Sequence, residues 1–148
     1  MQVRRADARD ASAVGDLVAQ FFTEEGFATP AAAVRARAAA FIAEPANAAF
    51  LAVDDDGTPF GVATMTTVFG FETGWYGELE DLYVVPAARG RGAARALIDA
   101  VLDEARARGC SDVEIAVTPE GDAAHGLLDW YTKLGWEDTQ RRLLEREL

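Results

Sequence analysis

Val14, Leu17, Val18, Phe21 and Phe22 recur at the three- and four-residue spacing of one helical face, so an amphipathic helix is predicted from Ala11 to about Glu25. Asp10 stands where an N-cap belongs and Gly26 where a helix stops. A second helix is predicted from Thr29-Pro30, with proline in its first turn, an apolar stripe of Val34, Ala38, Phe41 and Ile42, and Pro45 closing it. The clearest helical pattern comes later. Leu97, Ile98, Val101, Leu102 and Ala105 form one face, Arg95, Asp99, Asp103 and Arg106 point elsewhere, and Gly109 is the stop. A last helix is predicted from Ala123 to Leu134, closed by Gly135.

Between these helices the pattern shortens to strands. Gln2 to Arg5 and Ala49 to Val53 are short candidates. Asp54, Asp55, Asp56 and Gly57 have hairpin-turn chemistry, and Phe60 to Phe71, rich in β-branched and aromatic residues, is the predicted partner strand. Gly70 to Gly74 turns the chain again into Trp75 to Val85, which Pro86 stops. Val113 to Val117 is a further strand, and Trp136 to Leu144 supplies one or two more. The order predicts one mixed α/β (α+β) domain over residues 1–148. Its central sheet is mostly antiparallel, with six to seven strands and about four flanking helices, hairpins first and a strand–helix–strand crossover later.

Composition narrows the functional classes. Half of the 148 residues are hydrophobic, enough for one sizeable core. No apolar run approaches the ~20 residues of a membrane helix, and Met1 to Asp7 carry no apolar signal core. One cysteine, Cys110, excludes an intrachain disulfide, and with a single histidine it makes a zinc site built on those ligands untenable. A cytoplasmic, metal-independent protein is expected. The net charge of −11 argues against nucleic acid or an anionic membrane as partner and favours a cationic one. Between Arg37 and Arg89 there is no Lys, Arg or His, while Glu44, Asp54, Asp55, Asp56, Glu72, Glu78, Glu80 and Asp81 fall there.

The most informative segment is Glu78 to Leu97. A strand ending in Leu82, Tyr83, Val84, Val85 and Pro86 runs into Arg89, Gly90, Arg91, Gly92, Ala93 and Ala94, and a helix follows at once. A helix N-terminus offers unpaired N–H groups and partial positive charge, glycines let backbone approach an anion, and Arg89 and Arg91 add cationic donors. Together they predict a pyrophosphate cradle. No Gly-Lys-Ser/Thr follows, so a Walker A loop is excluded. Arg95 stands where the third glycine or alanine of a dinucleotide fingerprint belongs.

Arg89, Gly92 and Ala94 resemble the Arg/Gln-x-x-Gly-x-Gly/Ala signature of the GNAT superfamily of N-acetyltransferases. Leu79-Glu80-Asp81-Leu82-Tyr83-Val84 is similar to the strand that precedes it in that family. Trp130-Tyr131-Thr132-Lys133-Leu134-Gly135-Trp136 resembles its aromatic-Tyr-x-x-x-Gly-aromatic element. The order of elements agrees along nearly the whole chain. One position departs: many relatives carry Asn about seven residues before the Tyr, where this chain has Ala124 beside His125, read here as a surface helix residue.

The resemblance implies transfer of an acetyl group from acetyl-CoA to a primary amine. Leu82, Tyr83, Val84, Arg89, Gly90, Arg91, Gly92, Ala93 and Ala94 would then hold the cofactor. It places the reacting centre on the Trp75 to Val85 strand. Backbone N–H groups near Leu82 to Val84 would bind the acetyl carbonyl and the pantetheine arm, and a bulge there would re-aim side chains. A regular strand would put Glu78, Glu80, Leu82 and Val84 on one face. An amine must lose its proton before it attacks, and the leaving thiolate benefits from a donor. Glu80 is the candidate base, with Glu78 in reserve, and Tyr131 the candidate acid. The link between the first two helices walls the acceptor site in this resemblance. Glu24, Glu25 and Phe27 with Glu78 and Asp81 would therefore form an acidic, partly aromatic cleft for a polycationic amine, aminoglycoside-like or a polyamine. An amino acid or peptide amine, and a CoA-binding module without catalysis, are the alternatives. The sequence leaves monomer and homodimer both open.

Overall fold

The structure, a computed structural model, describes Met1–Leu148. The chain forms two compact units, Met1–Glu114 and Ile115–Leu148.

In the first unit five strands form one sheet in sequence order: β1 (Gln2–Arg5), β2 (Asn47–Val53), β3 (Pro59–Gly70), β4 (Gly74–Val84) and β5 (Val113–Glu114). The first three pairings are antiparallel and the last is parallel. Helix α1 (Ala11–Glu25) and α2 (Ala31–Ala43) lie between β1 and β2, and α3 (Ala93–Ala107) is the crossover between β4 and β5. The helix limits follow local chemistry. Gly26 ends α1 in the left-handed region at φ 74, where a side chain would be strained. Asp10 occupies the cap position of α1 but its carboxylate makes no cap bond. It accepts two 2.7 Å bonds from Arg4, and Asp7 caps the short 3₁₀ turn Ala8–Asp10 instead.

The sheet is buried on both faces. Val62, Leu51 and Tyr83 pack with Val14, Leu17, Val18 and Val34 of α1 and α2. On the opposite face a Cβ at Gly61 would meet Leu97, and one at Gly77 would approach Met65 and Ala105. Leu97, Ile98 and Val101 are buried there, so the apolar stripe read from the α3 sequence is the stripe that faces the sheet.

The C-terminal end of α3 is tied down by Arg108. Its guanidinium donates to the carbonyls of Pro45, Ala46 and Asn47 at 3.0, 2.7 and 3.0 Å, to Thr67 Oγ1 at 3.2 Å, and to Glu104 at 2.9 Å. Glu104 also accepts Arg5 at 2.8 Å. Arg108→Ala leaves a largely buried carboxylate and several carbonyls without this donor. It should cost about 2–3 kcal/mol of stability, read as a lower urea midpoint with an unchanged m-value. Arg108→Lys should recover little, because a point ammonium cannot replace a planar fork. An unmoved midpoint in Arg108→Ala would show the contacts to be incidental.

In the second unit Thr118 caps α4 (Pro119–His125) through Gly121 N–H at 3.0 Å, and α5 (Leu127–Lys133) follows. The single helix expected from Ala123 to Leu134 is two helices, because Gly126 sits at φ 63 between them, ending one and starting the next. Beyond Lys133 there is no regular strand, and Gln140 has φ 56. Five strands therefore stand where six to seven were expected. Val113 to Val117 contributes only its first two residues to the sheet, and Trp136 to Leu144 has no ladder.

Candidate active site

The central irregularity of the sheet is in the β3–β4 hairpin. Gly70 pairs Gly74 at the turn, and the register runs without a break to Met65 opposite Leu79. The next pair is Thr64 opposite Asp81. Glu80 is thus the extra residue of a β-bulge, the feature that re-aims side chains on a strand. The expected common face of Glu78, Glu80, Leu82 and Val84 is corrected by it. Paired residues share a face. Glu78 opposite Thr66, Asp81 opposite Thr64 and Tyr83 opposite Val62 therefore lie on the α1 and α2 side. Leu82 opposite Ala63 and Val84 opposite Gly61 lie on the α3 side. Alternation from Glu78 keeps Glu80 with the first group. Three carboxylates, Glu78, Glu80 and Asp81, are gathered on one face at the bulge.

Their charges respond to this crowding. Glu80 is exposed as a residue, yet its carboxyl is held above the usual glutamate range. Partial burial is the main cause, then repulsion from Glu78 and Asp81. Burial also raises Asp81, against the opposing effect of a 2.6 Å hydrogen bond donated by Thr64 Oγ1. A carboxylate raised in this way can serve as a proton acceptor.

Next to the bulge the far edge of β4 is open. β5 pairs only with Gly77 and Glu78, so the ladder ends there. Val85 N–H bonds Phe60 O on the β3 side. By alternation the Tyr83 N–H also turns towards β3, and the N–H groups of Leu82 and Val84 face the open edge. Two of the three residues expected to offer backbone donors there are oriented to do so. Tyr83 instead contributes its side chain to the α1 face.

The anion loop follows directly. Pro86 starts a 3₁₀ turn, Pro86–Ala88, that leads to Arg89. Gly90 and Gly92 take φ 76 and 82, a conformation that excludes ordinary side chains, and Gly92 is the N-cap of α3. The first helical bond, Ala96 N–H to Gly92 O at 3.0 Å, leaves the N–H groups of Ala93, Ala94 and Arg95 at the helix start. A Cβ at Gly90 or Gly92 would meet nothing within 4 Å, so the backbone there fronts open space. The guanidinium of Arg91 lies 5.7 Å from the Phe60 ring centre. This donor set fits a pyrophosphate.

Arg89 is more committed than the sequence suggests. Its Nε donates to Val84 O at 2.9 Å, its Nη2 to Glu24 at 2.5 Å, and the guanidinium lies 5.6 Å from the Tyr83 ring centre. Tyr83 Oη donates to the other oxygen of Glu24 at 3.0 Å. Glu24, expected in the acceptor wall, therefore joins the end of α1 to the first arginine of the anion motif. A shallow cleft of about 290 Å³ opens beside it, lined by Ala19, Gln20, Thr23, Glu24, Arg35 and Tyr83. Phe27 is exposed and packs back on Phe21 and Phe22 at 5.6 and 4.9 Å, so the link after α1 presents an aromatic edge. Two features escape the sequence reading, Thr64 at the bulge and the Glu24–Tyr83–Arg89 cluster. The hairpin turn at Gly70 to Gly74 was a usable signal for the first, since counting back from it reaches Thr64 opposite the acidic run.

In the second unit Tyr131 is buried, with Trp130 and Trp136 edge-on at 4.8 and 5.5 Å. Burial pushes its hydroxyl up to about 12, so it is protonated at neutral pH. Ala124 and His125 form the last turn of α4.

Residues 13–136 match the Acetyltransferase (GNAT) family. Among solved structures, an integron cassette protein from the mobile metagenome of Cole Harbour Salt Marsh is 26% identical at a TM-score of 0.83, over 99% of this chain and 90% of that one. The aminoglycoside N-acetyltransferase AAC(6')-Iy, in complex with CoA, is 25% identical at 0.82, over 99% and 93%. The ribosomal-protein-alanine N-acetyltransferase of Brucella melitensis biovar Abortus 2308 shares the fold at 22% identity and 0.78, over 99% and 100%. The chain belongs to the GNAT family and is an N-acetyltransferase that uses acetyl-CoA. No helix is long and apolar enough to cross a membrane.

Proposed function

We propose that this enzyme acetylates a primary amine of a small polycationic acceptor, aminoglycoside-like or a polyamine, by direct transfer. The observation that carries the reading is the bulge at Glu80, which gathers Glu78, Glu80 and Asp81 on one face beside the open edge of β4. Acetyl-CoA supplies the acetyl group, whose bond to sulfur breaks as its bond to the amine nitrogen forms. Glu80, held above the usual glutamate range by partial burial and then by Glu78 and Asp81, takes a proton from the acceptor's ammonium at a carboxylate oxygen, directly or through a water, and so frees the amine that attacks. Leu82 and Val84 donate backbone N–H groups to the carbonyl and the pantetheine arm. Gly90, Arg91, Gly92, Ala93 and Ala94 hold the pyrophosphate at the start of α3, with Arg89 beside them. Tyr131, neutral and buried, is the candidate proton donor for the leaving thiolate, a role supported by its place in the family-like element Trp130 to Trp136.

Acceptor charge follows from the same face. Glu78 and Asp81 attract additional ammonium groups, with Glu25 and the Phe27 edge at the link after α1. Similarity to an aminoglycoside N-acetyltransferase supports this class. The test is thiol release from acetyl-CoA against polyamines, aminoglycosides, amino acids and peptides at several salt concentrations. kcat/KM for a tri- or tetra-amine should fall clearly between low and physiological salt, as the Debye length shrinks to ~8 Å, and fall less for a monoamine of similar size. If polyamines and aminoglycosides are no better than neutral-tailed monoamines at low salt, the acceptor is to be sought among amino acids or peptide amines.

A further inference from the structure

We propose that Thr64 is a positioning residue for acetyl transfer: its hydroxyl staples the bulge by accepting the Asp81 amide and donating to the Asp81 carboxylate, and so fixes where Glu80 points. The inference rests on the reading of Glu80 as the base.

A bulge takes one residue out of the ladder and leaves its neighbours' backbone groups in need of partners. Here the Asp81 N–H is met by Thr64 Oγ1 at 3.1 Å, and the Thr64 hydroxyl proton goes to Asp81 Oδ2 at 2.6 Å. A hydroxyl has one proton to give, and both of these bonds end on the same residue. They close a small ring through the backbone and side chain of Asp81, which immobilises the residue next to Glu80. The other threonines of β3 do nothing comparable. Thr66 donates to Asn47 Oδ1 at 2.8 Å and Thr67 to Ala46 O at 2.9 Å, both on the β2 side. Thr64 is 2% exposed, so the staple lies under the site and out of reach of an acceptor in solution.

There is also an electrostatic consequence. The charges that act on Glu80 are those of Glu78 and Asp81. Asp81 is half-buried, and the Thr64 hydrogen bond favours its ionised form against the desolvation that raises it. Losing the hydroxyl makes Asp81 easier to protonate and weakens its repulsion of Glu80.

The experiment compares Thr64→Val, which keeps shape and loses both bonds, with Thr64→Ser, which keeps both, in wild-type and Glu80→Gln backgrounds. Thiol release is followed with spermine and with neamine, alongside CoA binding and melting temperature. Thr64→Val should lower kcat about tenfold with KM for acetyl-CoA and CoA binding within about twofold, since a misplaced catalytic group costs rate more than binding. Thr64→Ser should stay within about threefold of wild type. In the Glu80→Gln background Thr64→Val should cost no further rate, the non-additivity expected of residues acting as a unit. If Thr64→Val fails to fold, Thr64→Cys, a weak donor and acceptor of similar size, takes its place.

If neither amine is acetylated, the titration of the Glu80 carboxyl by carbon NMR decides. Its midpoint should move down in Thr64→Val and stay in Thr64→Ser. Wild-type kcat in Thr64→Val, a further loss on top of Glu80→Gln, equal loss in Thr64→Ser, or an unmoved midpoint each overturns the proposal. Full activity in Glu80→Gln alone sinks the assignment of Glu80. A slow Glu80→Gln with an unaffected Thr64→Val sinks only the role of Thr64.

Discussion

Glu80→Gln should lower kcat at pH 7 by about 10²-fold or more, the usual contribution of a positioned base. The loss should shrink as pH approaches the ~10.4 of a free alkylammonium, because the acceptor then arrives already deprotonated. The acid limb carries a second, sharper expectation. Glu80 works only when ionised, so kcat should rise with pH through its pKa, which burial, Glu78 and Asp81 together hold above the ordinary glutamate value. Removing either neighbouring charge lowers that pKa. Glu78→Gln and Asp81→Asn should each shift the limb to lower pH and extend activity into more acidic buffer. Full activity in Glu80→Gln would pass the base role to Glu78 or to water, and a limb that ignores both neighbours would detach it from this carboxylate.

Much of this site is legible before any coordinates. Alternating and helical periodicities place α1, β3, β4 and α3 within one or two residues, because each carries apolar residues that are buried in the core, and β1 lies where the short run Gln2 to Arg5 predicts it. The anion loop is legible because its chemistry is local: two glycines and two arginines sit between a strand and a helix. What the sequence hides is non-local. Counting from the Gly70 to Gly74 turn puts Thr64 opposite Glu80. Only the hairpin as folded shows that Asp81 takes the place and Glu80 is extruded. The same holds for Glu24, whose engagement by Arg89 and Tyr83 joins residues 59 and 65 positions apart. The second unit departs from its sequence pattern for a local reason. Gly126 looks like a tolerable glycine inside a helical pattern, but it takes the left-handed conformation and divides the helix.

Gly92→Val should abolish acetyl-CoA binding. A saturating ligand that binds only the folded state at a hundredfold excess over its Kd adds about 2.7 kcal/mol, several degrees of Tm for a chain of this size, and the variant should show none of it. Two physical effects act at this position. The backbone of Gly92 has φ 82, where a β-branched residue is strained, and a side chain there would project into the open space before Ala93, Ala94 and Arg95. Strain alone lowers stability without touching the ligand, so the variant needs a control with the same backbone problem elsewhere. Gly109 provides it: it lies at the other end of α3, has φ 75, and likewise has nothing within 4 Å of a built Cβ. Gly109→Val should melt at lower temperature than wild type yet keep the full acetyl-CoA shift. Gly92→Val should lose both. Arg89→Ala should weaken the shift without removing it, since the helix N-terminus and the glycine backbone remain. If Gly92→Val retains the shift while Gly109→Val behaves as expected, the pyrophosphate is not bound at the start of α3.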